Sequence, residues 1–188
     1  MRSPLSPRTI GLGLAFSIVT AAPSVAQQGE RVGKAVAEIE RLDALRSTLA
    51  ATFAQTGAPA DQEAFGRVCR PVGMAMQQGA RENGWVARQV AIKYRNPANK
   101  ADAEAERALH QFRQDPALRA MSLRTNLDGK SGTRYLRRIN VEPSCLLCHG
   151  KKSARPEFIA KNYPADRAHG FRVGDLRGAY SVFVPDGT

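Results

Sequence analysis

Two cysteines and a histidine stand close together in the last third of the chain, in the segment Cys145-Leu146-Leu147-Cys148-His149. This spacing is typical of covalent haem attachment, because two thiols one helical turn apart can form thioethers with the two vinyl groups of one porphyrin. The adjacent imidazole then reaches the iron from one face. We therefore predict one covalent haem c, attached at Cys145 and Cys148, with His149 as an iron ligand.

Two other uses of this cysteine pair explain less of the segment. A structural zinc site takes four protein ligands, and no second Cys/His pair follows at finger-like spacing. A thioredoxin-like dithiol follows a strand in a βαβ unit and requires no histidine. Haem attachment accounts for both thiols and the imidazole together.

The N-terminus has the features of a secretory signal peptide. It begins with arginines, continues with an apolar run over residues 10–19, and ends in the small residues Ser24-Val25-Ala26. The apolar run is about half of the ~20 residues that a membrane span needs; a short membrane anchor is the alternative. We expect a signal peptide over residues 1–26, a single haem-binding domain over residues 27–188, and a periplasmic location in a cell with two membranes. Haem is attached to such motifs outside the cytoplasm, so the two predictions support each other.

The composition is strongly basic, with 28 Lys and Arg against 17 Asp and Glu and a formal net charge of +11. Arg2 and Arg8 leave with the predicted signal peptide, and the remaining 162 residues carry +9, enough chain for one domain with a core. The basic residues are scattered and lack interleaved aromatics, which argues against nucleic-acid binding. They favour an acidic redox or signalling protein as partner, or an anionic surface; a generally basic soluble surface is the alternative.

Helical periodicity begins after the predicted cleavage site. Apolar residues recur at helical spacing over residues 30–55, and Gly57 and Pro59 end this helix. The apolar stripe is close to a heptad, so a homodimer through this N-terminal helix and simple core packing both fit the pattern.

A second predicted helix, over residues 61–79, carries the third cysteine, Cys69, on its apolar face. Pro71 lies two residues later and should kink the helix, which is one way to aim a thiol at a metal. Cys69 is therefore a candidate for the iron ligand on the other face; a buried free thiol is the alternative, because cysteine packs as a small hydrophobe. Met74 and Met76 are rival ligands.

The rest of the chain predicts an α+β domain with a small antiparallel sheet. His110 is expected at the surface of its helix. Four residues of the predicted strand at 133–139 are candidates for holding the haem propionates by charge-assisted hydrogen bonds: Arg134, Tyr135, Arg137 and Arg138. The alternative is that these residues are solvated strand positions. The predicted elements are a strand at 85–95, a turn at 96–99, a helix at 102–114, strands at 122–127 and 133–139 around a turn, a short helix at 156–163 and a last strand at 176–184.

Five segments in this order resemble a family of exported, c-type haem-binding, PAS-like sensory domains, over roughly residues 30–185. The segments are Cys69 with Pro71, Lys93-Tyr94-Arg95-Asn96-Pro97-Ala98-Asn99, Cys145-Leu146-Leu147-Cys148-His149-Gly150, Tyr163-Pro164-Ala165-Asp166 and Gly174-Asp175-Leu176-Arg177-Gly178-Ala179-Tyr180-Ser181-Val182. The resemblance implies a PAS-like antiparallel sheet flanked by N-terminal helices. It also implies covalent haem c with His149 on one side and Cys69 on the other. It implies no ligand role for His169.

This ligand pair predicts a periplasmic redox or gas sensor module, with a c-type cytochrome electron carrier as the alternative. A cysteine thiolate favours ferric iron, and two protein ligands block access of a substrate, so we do not expect an enzyme. No kinase or chemoreceptor module follows within these residues, so a sensor of this form would act through a separate partner.

Overall fold

The computed structural model describes residues 25–187, and the predicted signal peptide therefore lies outside the described residues except for its last two positions. Within residues 25–187, no helix combines the length and the apolar character that crossing a bilayer requires. The elements are α1 Val25–Gln55, α2 Gln62–Asn83, β1 Val86–Val90, α3 Ala103–Gln114, β2 Ala120–Leu127, β3 Lys130–Asn140, α4 Leu146–His149, α5 Glu157–Asn162 and β4 Leu176–Pro185.

Four antiparallel strands form one sheet in the order β1-β4-β3-β2. Its two faces are covered by different helices. On one face α1 and α2 pack with Tyr135, Tyr180 and Val182, and on the other face α3 packs with Leu136 and Ala179. The predicted α+β class with an antiparallel sheet is confirmed.

Both N-terminal helices are present, and α2 is longer than predicted. Asp61 caps α2, because its Oδ1 accepts a hydrogen bond from the backbone N–H of Ala64 at 2.8 Å. The helix passes through Gly79, where a Cβ would stand only 3.4 Å from Glu38 of α1. It ends at Gly84, which takes the left-handed conformation at φ 67°. The predicted end at residue 79 is wrong, because the chain first leaves the helical conformation at Gly84.

Strand β1 stops five residues before its predicted end at residue 95. The Ala91 N–H donates to the carbonyl of Asn99 at 2.9 Å, and the Ala101 N–H donates to the carbonyl of Ala91 at 3.1 Å. These bonds divert the chain out of the sheet after Val90. The following residues, Lys93 to Asn96, form a loop instead of a strand.

The β2–β3 hairpin is tighter than the five-residue turn that the sequence suggests. Leu127 pairs directly with Lys130. The two residues between them, Asp128 and Gly129, have φ values of 52° and 78°, as a two-residue hairpin turn of the primed type requires. Strand β3 therefore begins at Lys130 and not at residue 133, whereas β2 ends at Leu127 as predicted and is longer at its start, Ala120.

Candidate functional site

One cavity brings all four predicted site residues together. It lies between α1, α2, α4 and one end of the sheet, and its empty space, counted with the solvent at its mouth, is about 1090 Å³. Cys69 of α2 lines one side, and Cys145, Cys148 and His149 line another. The rest of the wall is mostly apolar and includes Ala50, Phe53, Ala64, Phe65, Val68, Val72, Val90, Ala91, Ile139 and Leu147.

The start of the cysteine motif is tied to α1 through Glu142. Its carboxylate accepts hydrogen bonds from the Ser47 hydroxyl at 2.7 Å and from Arg46 at 2.9 Å. Burial would raise the pKa of Glu142, but these two partners lower it below its usual value. The Cys145 N–H donates to the carbonyl of Glu142 at 2.9 Å and begins the turn. The first thiol is therefore held against α1 by both backbone and side-chain contacts.

The ring of His149 is fixed by a backbone carbonyl. Its Nδ1 lies 2.7 Å from the carbonyl oxygen of Ala168. Because a carbonyl oxygen only accepts, Nδ1 carries the proton and Nε2 keeps its lone pair. Burial, Arg177 and Arg95 hold the pKa of His149 well below its ordinary value. The imidazole is therefore neutral at physiological pH, which is the form that binds a metal.

Cys69 faces the open cavity from α2, as a free thiol. The side chain is exposed to the cavity, so the alternative of a thiol buried in the core is wrong. Protein surrounds Cys69 on its other sides, and this burial, followed by the effect of Cys148, raises the pKa of the thiol to about 11. At neutral pH the thiol keeps its proton unless a cation lies beside it.

Neither rival methionine lines the cavity. Met76 is 6% exposed and packs in the core between α1 and α2. Met74 is 60% exposed and lines an outer surface groove that Cys69 also borders, but it does not line the cavity. His110 is exposed on α3, as expected. Of the candidates for the iron face opposite His149, only Cys69 lies at the cavity.

The β3 arginines do not belong to the cavity, and both interpretations of them from sequence are wrong. They are buried, so they are not solvated strand positions, and none lines the cavity with His149. Tyr135 donates to Glu40 at 3.0 Å and is also outside the cavity wall. Their partners are Asp102 and Glu104 for Arg134, Glu40 and Asp43 for Arg137, and the carbonyls of Asp115, Pro116 and Leu118 for Arg138.

Other arginines, which the sequence alone did not single out, lie at the site. Arg46 and Arg177 line the cavity. Arg177 donates to the carbonyl of Lys93 at 3.1 Å and lies 5.6 Å above the Phe171 ring. Burial, and next the charge of Arg95, lower the pKa of Arg177 to about 10. Among residues 25–187 no carboxylate lies within ion-pair distance of Arg177. Arg177 lies in the Gly174–Val182 segment of the family resemblance, and this was the one feature of the sequence that could have identified it as a site residue.

The fold and the site together define a class: an α+β domain in which a CxxCH turn and a third thiol from a helix line one apolar cavity of cofactor size. The family model for Tll0287-like proteins matches residues 24–185, and this chain belongs to that family. The solved structure of the cyanobacterial haem protein Tll0287 is similar, with 46% sequence identity over 83% of this chain and 95% of that chain and a TM-score of 0.73. No curated protein sequence matches the chain. The predicted resemblance to a haem-protein family is confirmed.

Proposed function

We propose that this protein is an exported, c-type monohaem protein that serves as a redox or gas sensor module. One observation carries the proposal: Cys69 and the Cys145–His149 turn, far apart in sequence, line the same cavity. The similar protein of known structure is a haem protein. Cys145 and Cys148 would form the thioethers, and His149 and Cys69 would hold the iron from opposite sides.

The residues present fit a haem. The wall is mostly apolar, as a porphyrin ring requires, and both thiols of the motif face the open space. The Nε2 atom of His149 has a lone pair, because Nδ1 donates to the carbonyl of Ala168 at 2.7 Å. Bound haem supplies an iron that changes its oxidation state and binds small gases when one ligand leaves.

Cys69 gives the site its proposed response to oxidation state. Its raised pKa, about 11, means that the free thiol is protonated at neutral pH. With haem bound, Cys69 would be held as a thiolate in the ferric state, and reduction would favour its release and protonation, because ferrous iron holds a thiolate poorly. Since Cys69 belongs to α2, and α2 packs on α1, its release would be transmitted to the helix pair. A partner protein, or a second copy docked along α1, would detect this change.

The remaining parts of the proposal follow from the same features. The order β1-β4-β3-β2 with helices on both faces supports a PAS-like domain. The predicted signal peptide supports export to the periplasm, where haem c is assembled. Two protein ligands on the iron leave no open face for a substrate, so we propose that the native protein is not an enzyme.

Spectroscopy of the haem in three proteins tests this function. We expect Cys69→Ala to change the optical and paramagnetic-resonance spectra strongly, because one iron ligand is lost. Met76→Ala is the matched control on the same helix and should leave both spectra unchanged, since Met76 lies in the core. A colourless secreted protein without the added mass of a macrocycle would contradict the proposal.

The sensor role has a separate test. Reduced and oxidised wild-type protein should differ in ligation, and the reduced form should bind carbon monoxide or nitric oxide at the side that Cys69 leaves. Identical ligation in both oxidation states, with binding of neither gas, would remove the basis for sensing while leaving haem attachment intact.

An electron carrier is the second candidate, and one observation favours it. The chain that follows the motif presents a group of exposed basic residues, which we call the basic segment: Lys151, Lys152, Lys161, Arg167 and Arg172. Such a surface beside the haem would speed encounter with an acidic redox protein and make the rate depend on salt.

Charge reversal tests the electron-carrier role. We expect Lys151→Glu combined with Lys152→Glu to slow oxidation of the haem by the anionic reagent ferricyanide several-fold at low salt. Arg107→Glu with Arg113→Glu, at exposed positions on α3, makes the same change in net charge away from the cavity. Equal slowing in both double variants would show an effect of overall charge and count against a docking surface.

A further inference from the structure

A buried carboxylate lies behind the loop that holds His149. The side chain of Asp166 is fully buried, although it lies in the connection between α5 and β4. Burying a carboxylate is costly unless it is paired and hydrogen-bonded. Its pKa is nevertheless lowered: burial acts to raise it, but the hydrogen bond from Arg155 and that from the backbone of Ala168 outweigh burial.

Two routes connect Asp166 to the cysteine motif. In the first, Oδ1 of Asp166 accepts from the Ala168 N–H at 2.9 Å, and the Ala168 carbonyl accepts from Nδ1 of His149 at 2.7 Å. In the second, Oδ1 lies 3.5 Å from Nε of Arg95, and Nη2 of Arg95 donates to the carbonyl of Cys148 at 2.8 Å. Asp166 therefore holds the acceptor for the ring through a hydrogen bond, and it attracts the arginine that donates to the motif's backbone through its charge alone.

Asp166 also neutralises the arginines of this region. Arg155 donates to its Oδ2 at 2.8 Å, and Arg95 is the other cation beside it. Within residues 25–187, no other carboxylate forms an ion pair with either arginine. Without Asp166, two cations with little exposure would stand behind His149 unpaired, and the loop that carries Ala168 would lose its fixed turn.

We propose that Asp166 is the positioning residue of His149: it fixes the Ala168 carbonyl and attracts Arg95, so that the imidazole keeps its proton on Nδ1 and its Nε2 would be available to hold the iron. This inference rests on the proposed haem ligation by His149. Groups that orient a metal-bound histidine in this way tune the strength of the ligand, and their loss weakens the metal site.

The variants Asp166→Ala and Asp166→Asn of the haem-bound protein test the positioning role. Both are made in the Cys69→Ala background, where the reduced iron has His149 as its one axial ligand and shows an iron–histidine stretching band by resonance Raman. We expect Asp166→Ala to shift this band to lower frequency or to split it, because Nδ1 loses its fixed acceptor. Asp166→Asn keeps an oxygen for the Ala168 N–H, so its shift should be smaller.

Asp175→Asn is the matched control. Asp175 lies in the same connection, is exposed, and its Oδ2 accepts from the Arg172 N–H at 2.8 Å. This variant removes the same charge and, like Asp166→Asn, keeps an oxygen for its backbone N–H without touching His149, so its band should stay in place. The reduction potential, with Cys69 restored, should rise in both Asp166 variants, since a buried negative charge near the iron is lost, and should change less in Asp175→Asn.

The outcomes separate this inference from the proposed function. If wild-type protein carries haem with His149 bound, and the Asp166 variants keep its band and potential, Asp166 has no positioning role. An equal shift in Asp175→Asn overturns it as well. If Asp166→Ala fails to fold, the shift of the iron–histidine band in Asp166→Asn decides whether Asp166 has a positioning role. Absence of haem from the wild type overturns both proposals.

Discussion

Two groups of arginines have opposite surroundings: the buried Arg134 and Arg137 of β3, and the half-buried Arg177 at the cavity. On β3, Arg134 meets two carboxylates, Asp102 at 2.8 Å and Glu104 at 3.0 Å, and Arg137 pairs with Glu40 and Asp43. At the cavity, Arg177 has a carbonyl and an aromatic ring as neighbours, and no carboxylate in the described chain. Arg134 and Arg137 are neutralised by the protein itself, whereas Arg177 leaves an excess of positive charge beside His149.

This difference separates structural charge from charge available to a ligand. A buried cation that is fully paired contributes to the packing of the sheet against its helices. A half-buried cation without an acid favours any anion that enters the cavity, and both a thiolate and a haem carboxylate are anions. The β3 arginines were the candidates from sequence, but Arg177 is the arginine without a carboxylate partner that lines the cavity.

Removal of one arginine from each group should have the largest contrast. In haem-free protein, with both cysteines of the motif changed to serine, we expect Arg134→Met to lower the free energy of unfolding by about 3 kcal/mol, because Glu104 loses its partner and Asp102 keeps only Arg88. Arg177→Met should cost no more than about 1 kcal/mol, from lost packing of its stem. Urea unfolding measures both. Equal costs would end the distinction between the two groups.

Asp43 connects the β3 group with Arg46 of the cavity wall, and its substitution should have the next largest effect on the free energy of unfolding. It accepts from Arg46 at 2.9 Å on the cavity side and lies 2.9 Å from Arg137 on the sheet side. We expect Asp43→Asn to cost about 2 kcal/mol in urea unfolding, since hydrogen bonds to charged groups are lost. Asp186→Asn, in the more exposed pair with Arg124, should cost about 0.5 kcal/mol. An equal cost for Asp186→Asn would contradict the proposed importance of burial.

Acid should weaken the β3 group through Asp102. Burial would raise the pKa of Asp102, but Arg134 lowers it well below the unfolded value of about 3.9. A carboxyl with a depressed folded pKa stabilises the fold above the unfolded pKa and loses this contribution as pH falls through the folded pKa. The stability gap between wild type and Asp102→Asn should therefore be full at pH 6 and narrow below about pH 4. Asparagine keeps the α3 cap, so a gap that does not change with pH would exclude the charge as its cause.

The smallest expected effect concerns the cavity. Arg177→Gln should lower the reduction potential of the bound haem, because loss of a positive charge beside His149 favours ferric iron. Spectroelectrochemistry measures this shift, and Arg134→Gln provides the control with a neutralised arginine. A larger shift in Arg134→Gln would show that pairing does not decide which arginine acts on the site.

Local features of the structure could be predicted from sequence because they depend on neighbouring residues. The caps at Asp61 and Asp102, the turn at 96–99 and the cysteine motif all use contacts within four positions. The end of β1 could not be predicted, because it depends on pairing between Ala91 and the chain near Lys100. Which glycine ends α2 could not be predicted either, since only Gly84, and not Gly79, takes the left-handed conformation.

The sequence by itself determined the chemistry of the motif, the α+β class and the helical face that carries Cys69. Only the tertiary structure decided which residue of that face reaches the cavity. Cys69 and Met76 share the face, but seven residues of helix separate them by about 10 Å along the axis. One position borders the open space and the other lies in the core. Helical periodicity defines the direction of a side chain around the axis, and only packing against α1 and the sheet defines what stands opposite it.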